Sequence, residues 1–177
     1  MITQTLQRFA ANNAWSNLRL LRACSALTTE ELGAPRTSFF PSLVATLNHI
    51  LIVDWYYLDA LEGGGRGRRC FDEDMPFREP RALMEAQLAS DRKLVAFVKG
   101  LRDEDVGRIV DIERKDYTQR ETVLDTLLHL FTHQIHHRGQ AHAMLAGTDV
   151  KPPPLDEYFM QNDLPLREAE LRDLGLE

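Results

Sequence analysis

The residues of this sequence best suited to metal or acid–base chemistry are its histidines, and they are unevenly placed. Five of the six lie within fourteen residues, and the sixth is His49. The five are His129, His133, His136, His137 and His142. His133 and His137 are four residues apart, so on a helix their rings lie about 40° apart around the axis and one turn along it. Such an HxxxH pair can supply two nitrogen ligands to one metal ion.

A catalytic metal site needs a further ligand from elsewhere in the chain. His49 is the histidine outside the cluster, and it lies on the most apolar predicted helix. Three histidines that leave one coordination position open are a known catalytic arrangement. We therefore predict a metal site formed by His49, His133 and His137, with no catalytic residue assigned. HExxH is absent, so the pattern offers no zinc-peptidase glutamate.

Each of these histidines also has a plainer interpretation. An isolated histidine on an apolar helix is more often a core residue with one hydrogen-bonded nitrogen, and HxxxH pairs occur by chance on exposed helix faces. His129 lies one turn before His133 and could compete as a ligand. Over eight residues, however, a helix face turns by about 80°, so His129, His133 and His137 cannot all point at one ion. His136 is predicted to be exposed or bonded to a neighbouring helix, and His142 to be structural.

Four long segments show helical periodicity and would position these histidines. They cover residues 3–27, 42–62, 80–101 and 121–145. Ser42 is a favourable N-cap, and Pro80 suits a first helical turn. On the last helix the apolar stripe includes Leu127, Leu128 and Ile135. The expected fold class is all-α, a single-domain four-helix bundle over residues 1–177, of up-down type with one longer crossover and a short C-terminal element.

The connections are less regular. Residues 63–80 carry glycines, prolines and mixed charges and are predicted to form a long exposed loop. Alternation in residues 106–117 favours a short extended segment or hairpin. The tail, residues 165–177, is charged and is expected to form a frayed helix. Cys70 lies beside arginines that are expected to lower its pKa, and Asp54 is expected to pair with Arg138.

Composition excludes several classes of function. The chain has 177 residues, with 21 Lys and Arg against 27 Asp and Glu, a net charge of −6. Such an acidic chain is a poor match for nucleic acid or an anionic membrane surface. Its first residues lack a signal-peptide pattern, and no apolar run approaches the roughly 20 residues that span a bilayer. Two cysteines make no disulfide framework, so a cytoplasmic protein is expected.

Three stretches resemble a known family, the DinB (DinB/YfiT-like) superfamily. HLFTHQIHHRGQAHAML at residues 129–145 is similar to its C-terminal signature and is the specific part. NNAWSNLRLL at 12–21 and LNHILIVDWYYL at 47–58 resemble its first and second helices. The resemblance implies a four-helix bundle, commonly homodimeric, with one divalent metal ion, usually nickel or zinc. Carried over by motif, the ligands would be His49, His133 and His137, the residues already chosen by spacing.

Relatives in that superfamily include thiol-dependent transferases and isomerases that use glutathione, mycothiol or bacillithiol, while many members have no assigned activity. The leading hypothesis is a metal-dependent enzyme that carries out thiol S-transfer or hydrolysis on a small molecule, with glutathione as a possible thiol. The alternative is a non-catalytic, dimeric metal-binding interaction module of a stress response. A third reading is a metal-free helical scaffold whose histidines bond to carboxylates or backbone carbonyls.

Overall fold

A computed structural model describes residues 1–176 of the chain, and most of them are helical. Within this range the α-helices are α1 (Ile2–Cys24), α2 (Thr29–Gly33), α3 (Leu43–Leu61), α4 (Pro80–Gly100), α5 (Val123–Leu145) and α6 (Glu168–Leu174). Two strands, β1 (Ile109–Glu113) and β2 (Thr118–Thr122), precede α5. Short 3₁₀ turns cover Gly67–Phe71, Asp105–Gly107 and Gln161–Leu166. None of the helices in residues 1–176 combines the length and apolarity needed to cross a bilayer.

The starts of the long helices follow local capping chemistry. The Ser42 hydroxyl accepts a hydrogen bond from the Ala45 amide at 3.3 Å, so α3 begins where the sequence predicted. Pro80 occupies the first turn of α4, as expected. The Thr122 hydroxyl caps α5 by accepting from the Asp125 amide at 3.0 Å. These caps satisfy amides that have no partner within the helix.

The four long helices pack in a ring, in which α1 contacts α4 and α5, and α3 contacts the same two helices. Two apolar clusters lie at opposite ends of the ring. One contains the start of α1 and α5 and the end of α3 and α4, and the other contains the opposite ends. Consequently α1 and α5 run one way, and α3 and α4 run the other. Because α3 and α4 are parallel, the long connection over residues 62–79 must return along the length of the ring.

The extended segment predicted over 106–117 is a β-hairpin. β1 and β2 pair antiparallel, with Ile109 opposite Thr122 and Glu113 opposite Thr118. The alternation of apolar and polar residues predicted β1 but not β2, because β2 is polar throughout and shows no such alternation. Val110 and Ile112 of β1 are buried against the helices, so the hairpin covers one end of the ring.

Other details differ from the sequence predictions. Leu128 and Ile135 of α5 were expected to point inward, but they are 45% and 53% exposed. The buried side of α5 is set by Leu127 and its neighbours on the same face, and apolar residues are spread too widely around this helix for the pattern to separate the faces. The loop over 63–80 is more ordered than expected, since it contains a 3₁₀ turn. At Gly67, where φ is +52°, an added Cβ would lie 1.9 Å from a carboxylate oxygen of Glu113.

The C-terminal tail packs against α1 within the described residues. Arg19 pairs with Glu170 at 2.9 Å, and Arg22 with Asp173 at 2.6 Å. Leu171 of α6 packs in one cluster with the buried ring of Trp15. The prediction of a frayed helix therefore fails for Glu168–Leu174, because these side chains bind and cover α1; residue 177 lies outside the described range.

Candidate metal centre

Three histidines from two helices meet at the α3–α5 interface. His49 projects from α3, and His133 and His137 project from α5. Each offers one ring nitrogen, and these nitrogens all lie within 4.8 Å of one another. The Nε2 atoms of His49 and His133 are 3.0 Å apart. Ligand nitrogens at ~2.0–2.1 Å from a common ion in a tetrahedral site lie ~3.3 Å from one another, so this group fits a single metal ion after small shifts.

The helix geometry explains why these three side chains converge. His133 and His137 are one turn apart and share a face of α5. α3 runs antiparallel to α5, and His49 lies on the α3 face that packs against that stripe, with ring centroids 4.9 Å from His133 and 4.6 Å from His137. The predicted combination of three residues is thus brought together by two rigid elements rather than by loops.

The electrostatics of the group favour neutral imidazoles. Burial, with repulsion from His137, lowers the pKa of His49 to about 4. Burial and the neighbouring histidines lower the pKa of His133 to about 3. Burial also lowers the pKa of His137. Because the charged forms are disfavoured, each ring keeps a lone pair at neutral pH that can bind a cation.

Gln140 orients one of the three rings. Its side-chain oxygen lies 2.8 Å from Nδ1 of His137, and its side-chain nitrogen lies 3.0 Å from Nε2 of His136. An amide oxygen only accepts, so Nδ1 of His137 carries the proton and Nε2 is left with its lone pair. Metal-binding histidines are commonly held by such a bond from the second nitrogen. Gln140 was not among the predicted site residues, although its place three residues after His137 on a helix was a usable signal.

Two aromatic residues cover the other side of the group. Phe40, from the loop before α3, lies 4.4 Å from His49 and 5.6 Å from His137 between ring centroids. Phe39 lies 6.2 Å from His137 and is 76% exposed. These rings form an apolar wall at the edge of the site. Neither phenylalanine was predicted from the sequence, because both belong to a loop with no periodic pattern.

Comparison with known proteins identifies the family of this chain. The sequence profile of the DinB family matches residues 1–165. This chain belongs to the DinB family. The fold is similar to the crystal structure of a DinB-like protein from Bacillus cereus, with a TM-score of 0.62 and 18% sequence identity over 79% of this chain and 90% of that chain. At this identity the likeness concerns the fold alone. No curated protein matches the sequence significantly.

The remaining histidines of this DinB-family chain stay outside the group of three. His129 packs edge-on against Tyr57, with ring centroids 5.1 Å apart. His136 is exposed and bonds Gln140 of its own helix rather than a neighbouring helix. His142 bonds the backbone carbonyl of Pro153 at 2.9 Å, the structural role predicted for it.

A buried polar layer separates the two apolar clusters, and every long helix contributes to it. Its members are Asn13, Asn17, Asp54, Gln87, Asp91, Gln134 and Arg138. Gln87 and Gln134 donate to Asp54, while Arg138 donates to the side-chain oxygens of the two asparagines. The two asparagines in turn donate to Asp91. The predicted direct Asp54–Arg138 pair is therefore replaced by bonds through amides, which fill the space between the charged groups.

This layer holds two carboxyl groups and one guanidinium away from water. Burial raises the pKa of Asp54, against the hydrogen bonds from its amide partners and the charge of Arg138. Burial, together with Asp54, raises the pKa of Asp91. Burial lowers the pKa of Arg138, although the charges of Asp91 and Asp54 act to raise it. One positive group therefore faces two acids, and the geometry favours a layer in which one of the acids keeps its proton.

Neither cysteine of this DinB-family chain has the lowered pKa that is typical of a reactive thiol. Cys70 is a buried residue of the 3₁₀ turn Gly67–Phe71, close to Arg66 and Arg69, and burial raises its pKa despite those charges. The expected lowering is thus wrong, since desolvation outweighs the arginines. Cys24 is buried as well, and its pKa rises to about 12.

Proposed function

We propose that this chain is a metal-dependent enzyme whose single divalent ion, nickel or zinc, is held by His49, His133 and His137. The observation that carries the proposal is the convergence of three neutral imidazoles from two rigid helices. Imidazole nitrogen suits either ion. A divalent ion held by three neutral ligands lowers the pKa of a bound water or thiol, which are the nucleophiles of hydrolysis and of thiol transfer.

The surrounding residues support a small-molecule substrate. Gln140 holds the His137 ring in the orientation that leaves Nε2 free. Phe40 packs against the His49 ring on one side of the group, and Phe39 offers an exposed apolar surface next to it. No carboxylate joins the histidine group in residues 1–176, so the ligand set brings no negative charge. We favour thiol S-transfer or hydrolysis, with a low-molecular-weight thiol such as glutathione as co-substrate.

The architecture is consistent with this role. We interpret the ring of α1, α3, α4 and α5 as a four-helix bundle with a crossover between α3 and α4, in which facing helices build a site at their interface. We further propose that the protein works as a homodimer.

Metal analysis of the purified protein tests the ligand set. Wild type supplemented with Zn²⁺ or Ni²⁺ is expected to retain about one equivalent, and His133→Ala to retain far less. His142→Ala is the matched control, because His142 lies on the same helix but bonds a backbone carbonyl. Less than about half an equivalent in wild type would count against the metal proposal.

Turnover tests the enzymatic part. The metal-loaded protein is incubated with low-molecular-weight thiols and a panel of electrophiles, beside His49→Ala. Turnover that disappears in His49→Ala supports the enzyme. Stoichiometric metal binding without turnover of any pair would favour the non-catalytic module instead.

A further inference from the structure

The interface between α3 and α5 continues past the three histidines towards the β-hairpin. His129 lies one turn before His133 on α5, and Tyr57 lies opposite His129 on α3. Since His49 and Tyr57 are eight residues apart on one helix, this end of the interface lies about 12 Å along the axis from His49. Arg114, from the turn between β1 and β2, contacts Tyr57 at this end.

The guanidinium of Arg114 lies against two tyrosines. Its carbon lies 5.8 Å from the ring centroids of Tyr56 and Tyr57. Its Nε donates to the side-chain oxygen of Gln119 at 2.9 Å, and its Nη2 donates to the Tyr57 hydroxyl at 3.2 Å. These bonds hold the group in place but use only two of its five N–H donors.

Arg114 has no acidic partner among residues 1–176, although it is half-buried. Other arginines do pair: Arg120 of the same hairpin binds Asp111 at 3.2 Å, and Arg102 binds Asp105 at 3.1 Å. A cation that is partly withdrawn from water gains most from an anionic partner. Its fixed orientation on the tyrosines leaves the remaining donors available for one.

Two more donors lie beside it. The Tyr57 oxygen accepts from Arg114, so its own O–H remains able to donate. His129 is exposed and has no hydrogen-bond partner within the described residues, so a ring N–H is also available. A guanidinium, a phenol and an imidazole thus stand together at one end of the interface, while the other end holds the three histidines.

We propose that Arg114, Tyr57 and His129 bind an anionic oxygen group of the substrate, a carboxylate or a phosphate, while its reacting end lies at the histidine centre. The inference rests on the proposed function for the position of the reacting end. It selects elongated, negatively charged substrates and disfavours neutral ones of the same length. Tyr56 is not part of this subsite, because its hydroxyl donates to the Glu113 backbone carbonyl.

Binding of matched probes to the zinc-loaded protein, measured by calorimetry, tests the subsite. Mercaptooctanoate and mercaptooctyl phosphate carry a thiol at one end and an anion at the other, and mercaptooctanol has the same length without charge. Because a charge-assisted contact is stronger than a neutral one, at least one anionic probe is expected to bind about tenfold or more tightly than mercaptooctanol. The anion that is preferred identifies the group that the subsite takes.

Variants assign the preference to Arg114. Arg114→Gln is expected to abolish it, and Tyr57→Phe, which removes only the hydroxyl, to reduce it. Arg120→Gln is the matched control on the same hairpin and is expected to retain it. Equal affinity of wild type for charged and neutral probes, or a preference that survives Arg114→Gln, would overturn the inference.

Nonanoate, in which a methyl group replaces the thiol of mercaptooctanoate, separates this result from the metal proposal. If mercaptooctanoate binds no more tightly than nonanoate, the histidine centre does not hold a thiol, whatever happens at Arg114. If nonanoate binds more tightly than nonanol, its neutral counterpart without a thiol, and loses that advantage in Arg114→Gln, the anion subsite stands on its own.

Discussion

The Nε2 atoms of His49 and His133 lie 3.0 Å apart, although 84 positions separate the two residues in the chain. Burial keeps both rings neutral at ordinary pH, so at least one lone pair points into the space between them. His137 completes the group from one turn further along α5. A shared cation satisfies such a set of nitrogens better than a hydrogen bond between two of them.

Thermal unfolding gives a direct prediction for this group. A ligand at a hundredfold excess over its dissociation constant stabilises the folded state by about 2.7 kcal/mol, or roughly 5–10 °C in melting temperature for a chain of this size. We expect Zn²⁺ or Ni²⁺ to produce a rise of this order in wild type, measured by calorimetry or circular dichroism. His49→Ala should show little rise, while His129→Ala, outside the group, should behave as wild type. An equal rise in all three proteins would place the bound metal elsewhere.

Gln140 provides a second prediction, for a residue that positions a ligand. Gln140→Ala removes the acceptor for Nδ1 of His137 and is expected to weaken metal binding about 10–100-fold, measured by competition with a chelator. Gln140→Glu keeps an oxygen acceptor at the same place and should restore most of the affinity. Unchanged affinity in Gln140→Ala would mean that the His137 ring is held by packing alone.

The buried acids predict how stability depends on pH. The folded state raises the pKa of Asp54 to about 7 and that of Asp91 to about 8, mainly by burial. Between about pH 4 and those values the folded chain therefore binds protons that the unfolded chain has released. The free energy of unfolding should therefore fall as the pH rises through this window.

Asp91→Asn tests this prediction, because it removes one of the two coupled acids. The loss of stability between about pH 5 and pH 8, measured by urea unfolding, should become clearly smaller than in wild type. Asp116→Asn, an exposed acid on the hairpin turn, should leave the wild-type slope unchanged. If the free energy of unfolding depends on pH in the same way in all three proteins, the pKa values of the buried acids do not differ between the folded and unfolded states.

Adjacent leucines on α5 give a packing prediction. Leu127 is fully buried and Leu128 is 45% exposed. Leu127→Ala should lower the free energy of unfolding by about 2–5 kcal/mol, because it leaves a cavity in the core. Leu128→Ala should change it by less than about 0.5 kcal/mol. Denaturant unfolding of the pair measures both, and similar losses would contradict the observed orientation of α5.

The sequence predicted those features that depend on a single helix. Ser42 and Pro80 act locally, so the starts of α3 and α4 could be read from residue type. The four-residue spacing of His133 and His137 placed them on one face of a helix. His49 was predicted as the third ligand because it is the histidine outside the cluster and lies on an apolar helix.

Features that depend on several elements were not predictable in the same way. The side of α5 that faces the core is decided by its neighbours, so Leu128 and Ile135 were placed on the wrong side. The polar layer needs one side chain from each of four helices, and no periodicity in one helix reveals its partners. Phe39 and Phe40 reach the histidines from a loop, whose course is set by tertiary packing.

The covering of Trp15 has a consequence for how much of the chain must be kept intact. The family match ends at residue 165, yet Leu171 of α6 shields an indole that has no exposed surface. The residues that match the family therefore do not include all of those that cover this ring. Trimming the protein back to the matched boundary would open an aromatic surface to solvent and invite self-association.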